Sequence, residues 1–104
     1  MRLDGATILI TGAAKRVGRA CALGLASGGA NILVHYHRSK REAAETCRHI
    51  EKVGVKAAAF RADLADIKQV RVLAGQAWKA FGGVDVLVNS ASVFFRTPIE
   101  TLTE

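Results

Sequence analysis

Residues 7–18 read Thr7-Ile8-Leu9-Ile10-Thr11-Gly12-Ala13-Ala14-Lys15-Arg16-Val17-Gly18, and a change of period inside this stretch decides the fold. Thr7 to Thr11 is a short β-branched apolar run stopped by glycine, the pattern of a buried strand entering a tight turn. Beyond it the apolar residues recur at Val17, Cys21 and Leu25 until Gly28-Gly29. That spacing predicts a helix with a glycine stop. A turn between strand and helix gathers free backbone N–H groups and the positive end of the helix dipole, which together favour a phosphate. Gly12 and Gly18 remove side chains that would block its approach. Lys15, Arg16 and Arg19 add positive charge beside it. The turn is not a P-loop, since no Gly-Lys-Ser/Thr follows, and it is not G-x-G-x-x-G. Taken alone, the two glycines suit a plain strand–helix turn equally well.

Outward from this stretch the same alternation continues. Asn31-Ile32-Leu33-Val34 predicts a second buried strand. Ser39 is placed to cap a helix whose inner face is Ala43, Cys47 and Ile50 and which ends at Gly54. Val55 to Phe60 predicts a weaker strand, because alanine is a poor strand former. Asp66 with Gln69 has the spacing of a capping box, ahead of a helix aligning Val70, Leu73, Ala77 and Phe81. Val84 to Val88 predicts a fourth strand, followed by a loop through Thr97-Pro98 and a new helix near Glu104. Apolar strands separated by amphipathic helices imply a parallel sheet covered on both faces. Right-handed crossovers leave few topologies. The expected class is α/β, a Rossmann-type doubly wound sheet. A complete dinucleotide domain of this kind has six strands, so residues 1–104 are expected to form the N-terminal half of a single domain, with about four strands and three helices.

Composition narrows the function classes. The chain has 104 residues, half of them apolar, which excludes intrinsic disorder. Its longest apolar runs fall far below the roughly 18 residues a bilayer-spanning helix needs, so no membrane association is expected. An acid at Asp4 interrupts the place where an export signal would begin its apolar stretch. Cys21 and Cys47 have no paired spacing and read as reduced thiols packed in the core, which points to a cytoplasmic protein. Fifteen basic residues stand against nine acidic ones, a net charge of +6. The bases concentrate in two groups, Lys15-Arg16 with Arg19 and Arg38-Ser39-Lys40-Arg41, with no aromatic residues interleaved as a base-stacking platform. Nucleic acid is therefore not expected, and a small anionic ligand is.

The turn Thr11-Gly12-Ala13-Ala14-Lys15-Arg16-Val17-Gly18 resembles the T-G-x-x-x-G-x-G turn of the short-chain dehydrogenase/reductase family, with Arg16 in place of the middle glycine. Its T-G-A-A-K-R-V-G form resembles bacterial pteridine reductases in particular. Three further segments match the family in order and spacing. Asp63-Leu64 resembles the acidic site that contacts adenine. Asn89-Ser90-Ala91-Ser92 resembles the family's N-N-A-G in its N-N-A-S form, and His35-Tyr36-His37-Arg38-Ser39 resembles the H-Y-H-R-S of pteridine reductases. The resemblance covers essentially the whole chain.

What the resemblance implies is an NADPH-dependent oxidoreductase, passing hydride to a dihydropterin-like substrate, whose full-length form is a homo-oligomer. It implies a cofactor site of Gly12, Lys15, Arg16, Val17, Gly18, Tyr36, His37, Arg38, Ser39, Asp63, Leu64, Asn89, Ser90, Ala91 and Ser92. Ser92 and Phe94 would also touch the substrate. Ser90 replaces the family's second Asn, which is expected to loosen the bonds bracing that loop, and Arg96 stands where these enzymes often carry proline. The choice of NADP(H) also has a direct reading. NAD-binding folds usually place Asp or Glu at the end of the second strand, whereas here no acid occurs until Glu42 and Arg38 and Ser39 stand ready for a 2′-phosphate.

The family's catalytic Tyr-x-x-x-Lys lies on a helix after a fifth strand. Tyr36 and Lys40 match its spacing but fall after the second strand, where the adenosine phosphate should lie. No catalytic residue is therefore expected within these 104 residues, and the chain alone is expected to be inactive. The alternatives are a 3-oxoacyl thioester reductase of the same family and a non-catalytic NADPH-binding module. His35 and His37 alternate on one strand face, yet no third ligand accompanies them and no metal is expected. Trp78 reads as a helix-surface or packing residue.

Overall fold

The structure is a computed structural model that describes residues 3–90. It contains β1 (Thr7–Thr11), α1 (Arg16–Ser27), β2 (Asn31–Tyr36), α2 (Lys40–Lys52), β3 (Ala57–Arg61), α3 (Ile67–Ala80) and β4 (Val86–Asn89). The strands form one sheet in the order β3-β2-β1-β4, and every pairing is parallel. Two successive crossovers carry the chain outward from β1, and the third brings it back past β1 to the opposite edge. Right-handed crossovers that reverse direction place their helices on opposite faces. Accordingly Ile8, Ile10, Ile32 and Val34 pack with Ala22, Ala26, Ala43 and Ile50 of α1 and α2. Leu9 and Leu33, which alternate with them, pack on the other face with Ala77 of α3. This is the doubly wound α/β fold. The sheet order reverses between β1 and β4, and crevices at such points, beside the carboxyl ends of the strands, are where these folds bind ligands.

The two central strands are buried along almost their whole length, as continuous apolar runs require. Both β3 and β4 are edges among the described residues, and their burial alternates. Strand β4 begins at Val86, two residues later than expected, and Asp85 precedes it. Its N–H donates to the Thr7 carbonyl (2.8 Å), and its carboxylate accepts the Thr7 N–H (2.8 Å), so side chain and backbone together close the sheet's lower end.

Helix α1 turns a different stripe inward than the one expected. Gly18, Ala22 and Ala26 are buried, whereas Val17 is 76 % exposed. Small residues let this helix lie close on the sheet, so the larger Cys21 and Leu25 sit at its flank, half-buried against the core. In α2 the buried residues are Ala43, Thr46 and Ile50, with Cys47 half-buried beside them. Ser39 occupies the N-cap position of that helix but makes no side-chain cap bond. In α3 the Asp66 carboxylate accepts the Lys68 N–H (2.9 Å), as a cap should. The reciprocal half of the capping box is diverted, since the Gln69 side-chain oxygen accepts the Asp63 N–H (2.8 Å).

Candidate functional site

The site is built on the turn after β1. Gly12 has φ 65°, a left-handed conformation glycine adopts without steric cost. Its N–H donates to Nδ1 of His35 (2.9 Å), and the next N–H, of Ala13, donates to the His35 carbonyl (3.1 Å). From the other side the buried Thr46 hydroxyl donates to the Ala14 carbonyl (3.1 Å). The turn is thus tied to β2 and α2 before the helix begins. Neither His35 nor Thr46 was expected to do this from the sequence.

At the start of α1, Lys15 occupies the N-cap position in an extended conformation without a side-chain cap bond, and no acid lies in the first turn. The first N–H groups of a helix have no partner within it, so here their positive field is not neutralised locally. Arg16 has φ 55°, the sole non-glycine residue with positive φ among those described. It stands where the family turn carries its middle glycine, and a non-glycine residue in this region costs about 1–2 kcal/mol. Gly18 has no room for a side chain. A Cβ there would lie 2.1 Å from the Gly12 carbonyl oxygen and 2.7 Å from the Ser90 hydroxyl.

Ser90 fastens the end of β4 to the same turn. Its N–H donates to the Thr11 hydroxyl (3.1 Å), and its own hydroxyl donates to the Thr11 carbonyl. The Thr11 hydroxyl in turn donates to Asn89 Oδ1 (2.7 Å). Ser90, which replaces the family's second Asn, is thus bonded to β1 through both its N–H and its hydroxyl.

A cleft of about 500 Å³ opens between this turn and the end of β2. Of the residues expected to bind cofactor, Gly12, Lys15, Arg16, Val17 and Gly18 line one wall, Tyr36, His37, Arg38 and Ser39 the other, and Ser90 closes one end. Ala14 also lines it and was not expected. Asp63 lies beside the cleft, its carboxylate 3.9 Å from His37 Nε2, and its Oδ1 accepts the Ala65 N–H (2.9 Å). Leu64 and Asn89 do not line the cleft. Ala91, Ser92 and Phe94 lie outside the described residues.

Arg19 leaves the basic cluster, its guanidinium bonded to Nδ1 of His49 on α2 (2.8 Å). His35 and His37 do not act as a pair either. His35 is buried with both ring nitrogens engaged, while His37 lies beyond β2. Tyr36 ends a strand and Lys40 begins a helix, so the two do not share a helical face as a Tyr-x-x-x-Lys pair does. Burial, then the Glu51 charge, pushes the Cys47 thiol up to about 11, which keeps it protonated and unreactive at neutral pH. Trp78 is exposed on α3. No described helix is long and apolar enough to cross a membrane.

The cleft suits a phosphate-bearing ligand. Glycines bring its backbone close, the first residues of a helix without a side-chain cap line it, and so do Lys15, Arg16 and Arg38. The short chain dehydrogenase family model matches residues 6–104. The chain is 40 % identical over 103 residues to an uncharacterized oxidoreductase of Methylorubrum extorquens, covering 99 % of this chain and 42 % of that protein. It is 37 % identical over 91 residues to an L-rhamnose 1-dehydrogenase (NAD(P)(+)) of Sphingomonas, covering 88 % of this chain and 36 % of that one. A Burkholderia cenocepacia crystal structure with bound NADP superposes with TM-score 0.82 at 35 % identity, covering 85 % of this chain and 34 % of the other. The chain thus spans 42 % or less of the length of each of these three proteins. Fold, glycine turn and family match agree over nearly all its residues, and the chain belongs to the short-chain dehydrogenase family.

Proposed function

We propose that this chain forms the dinucleotide-binding part of an NADPH-dependent reductase, and that the whole protein passes hydride to a dihydropterin-like heterocycle. The observation that carries the cofactor choice is that Arg16, Arg38 and Ser39 share one cleft with the glycine turn. The first acid after β2 is Glu42, on α2, where an NAD site would place its carboxylate at the strand end. In this reading Gly12, Lys15, Val17 and Gly18 hold the pyrophosphate. Arg38 and Ser39, with Arg16, hold the 2′-phosphate. Tyr36 and His37 line the adenosine side, Asp63-Leu64 meet the adenine, and Asn89, Ser90 and Ala91 lie along the nicotinamide ribose. Bound NADPH supplies the hydride. Ser92 and Phe94 would face the heterocycle. Support for the pterin comes from His35-Tyr36-His37-Arg38-Ser39 and Arg16, which resemble pteridine reductases.

Arg16 makes the reading testable in two opposed directions. Its φ is strained and its side chain exposed. Arg16→Gly is expected to raise the unfolding free energy by about 0.5–1 kcal/mol, after the greater freedom of glycine in the unfolded chain is allowed for. The same substitution is expected to weaken NADPH about tenfold by removing a charged hydrogen bond. Urea midpoints and NADPH titrations check the two signs. The substrate is tested on the full-length protein by following loss of reduced nicotinamide absorbance with dihydropterin and with a 3-oxoacyl thioester. Turnover of dihydropterin, blocked by a pterin analogue, is the expected result. Thioester turnover untouched by that analogue would assign the carbonyl reaction instead, and binding without turnover of either would leave a non-catalytic module.

A further inference from the structure

We propose that His35 is a positioning residue for the dinucleotide, a neutral strut that sets the phosphate turn against the adenine-side loop. The inference rests on the cofactor reading above and concerns a side chain that does not line the cleft. Three observations carry it. His35 is 2 % exposed, and its ring spans two loops that are far apart in sequence. Its Nδ1 accepts the Gly12 N–H at 2.9 Å, and its Nε2 lies 2.8 Å from the Ala62 carbonyl oxygen. The backbone repeats the link on both sides, as the His35 carbonyl accepts the Ala13 N–H and the Tyr36 carbonyl accepts the Ala62 N–H. Ala62 immediately precedes Asp63, so one imidazole joins the turn meant for phosphate to the loop meant for adenine.

The bonding fixes the tautomer. A backbone N–H only donates, so Nδ1 must be unprotonated, and the Ala62 carbonyl only accepts, so Nε2 carries the hydrogen. Protonating the ring would set N–H against N–H at Gly12 and drive the turn off its place. The charge that acts on it is that of His37; along the chain, titratable groups flanking His35 and its partners are Tyr36, Lys15, Arg16, Arg61 and Asp63. Burial lowers the His35 pKa most, the Ala62 bond partly opposes this, and the His37 charge lowers it further. The sign follows. An unfolded histidine binds its proton near pH 6.5, ahead of the folded one. Stability from this residue is therefore fully present above about pH 6.5 and is lost as the pH falls toward the folded value.

The test is direct titration of the full-length protein with NADH, whose phosphates do not titrate in this range, and with NADPH. His35→Leu removes both bonds. His35→Asn keeps an acceptor at the Nδ1 position and cannot titrate. At about pH 8, His35→Leu is expected to bind both dinucleotides about tenfold more weakly, and His35→Asn within about threefold of the unsubstituted protein. As the pH is lowered below about 6.5, through the folded value of His35, the unsubstituted protein is expected to lose NADH affinity and His35→Asn to keep it. Should His35→Leu fail to fold, the two pH profiles decide. Equal affinity in His35→Leu, or the same acid-side loss in His35→Asn, overturns the proposal alone. Failure of the unsubstituted protein to bind either dinucleotide overturns the cofactor reading, and this proposal with it.

Discussion

Gly18→Ala should abolish dinucleotide binding and destabilise the fold by about 3 kcal/mol, the upper end of what overpacking a rigid site costs. The added Cβ would lie 2.1 Å from the Gly12 carbonyl oxygen and 2.8 Å from its carbon, both backbone atoms of a turn with no slack. That turn is held by His35 through two N–H groups and by Thr46 through the Ala14 carbonyl, so it cannot simply retreat. On the other side the Cβ meets the Ser90 hydroxyl, which is itself bonded to Thr11. Any relief must separate α1 from β1 or β4, and the cleft lies where these elements meet. Chemical denaturation and NADPH titration of the same preparation measure both effects. An unchanged midpoint together with unchanged affinity would show that the close packing is not needed.

The second large effect concerns which nicotinamide cofactor is held. Arg38→Ala should weaken NADPH by about a hundredfold while leaving NADH within about twofold. A charged hydrogen bond contributes about 1.5–3 kcal/mol, each 1.4 kcal/mol is tenfold, and a 2′-phosphate offers the guanidinium more than one oxygen. Arg38 is exposed at the cleft wall, and the loss of its side chain leaves no core contact open, so stability should hardly change. Adding salt should reduce the NADPH advantage in the unsubstituted protein, because an exposed pair is screened. Equal weakening of both dinucleotides would remove the 2′-phosphate from the site.

Much of this arrangement was legible beforehand, for identifiable reasons. The central strands β1 and β2 bury both faces, so their apolar runs are unbroken and their place in a parallel sheet follows. The glycine turn is legible because strand, glycine and helix succeed one another within 12 residues, which fixes the turn locally. What the sequence does not display depends on distance in the chain or on small side chains. The phase of α1 was misplaced by one residue because Gly18, Ala22 and Ala26 set its approach to the sheet, and none of them stands out as apolar bulk. Thr46 is less hydrophobic than its neighbour Cys47, yet its hydroxyl meets a carbonyl 32 residues away. Asp85 falls inside the expected strand Val84–Val88, and nothing in that pattern says that its carboxylate completes the bonding of Thr7, 78 residues earlier. His35 was assigned a strand face by alternation, but nothing in alternation says that its ring reaches the turn 23 residues earlier.

The central claim is that the cleft between Gly12 and Ser39 holds NADP(H). The measurement that tests it most directly is calorimetric titration of the full-length, unsubstituted protein with NADPH and NADH under identical conditions. One site per chain, with NADPH bound about a hundredfold more tightly than NADH, is the expected result. Equal or tighter binding of NADH would contradict the 2′-phosphate assignment, and no binding of either would contradict the cofactor site itself.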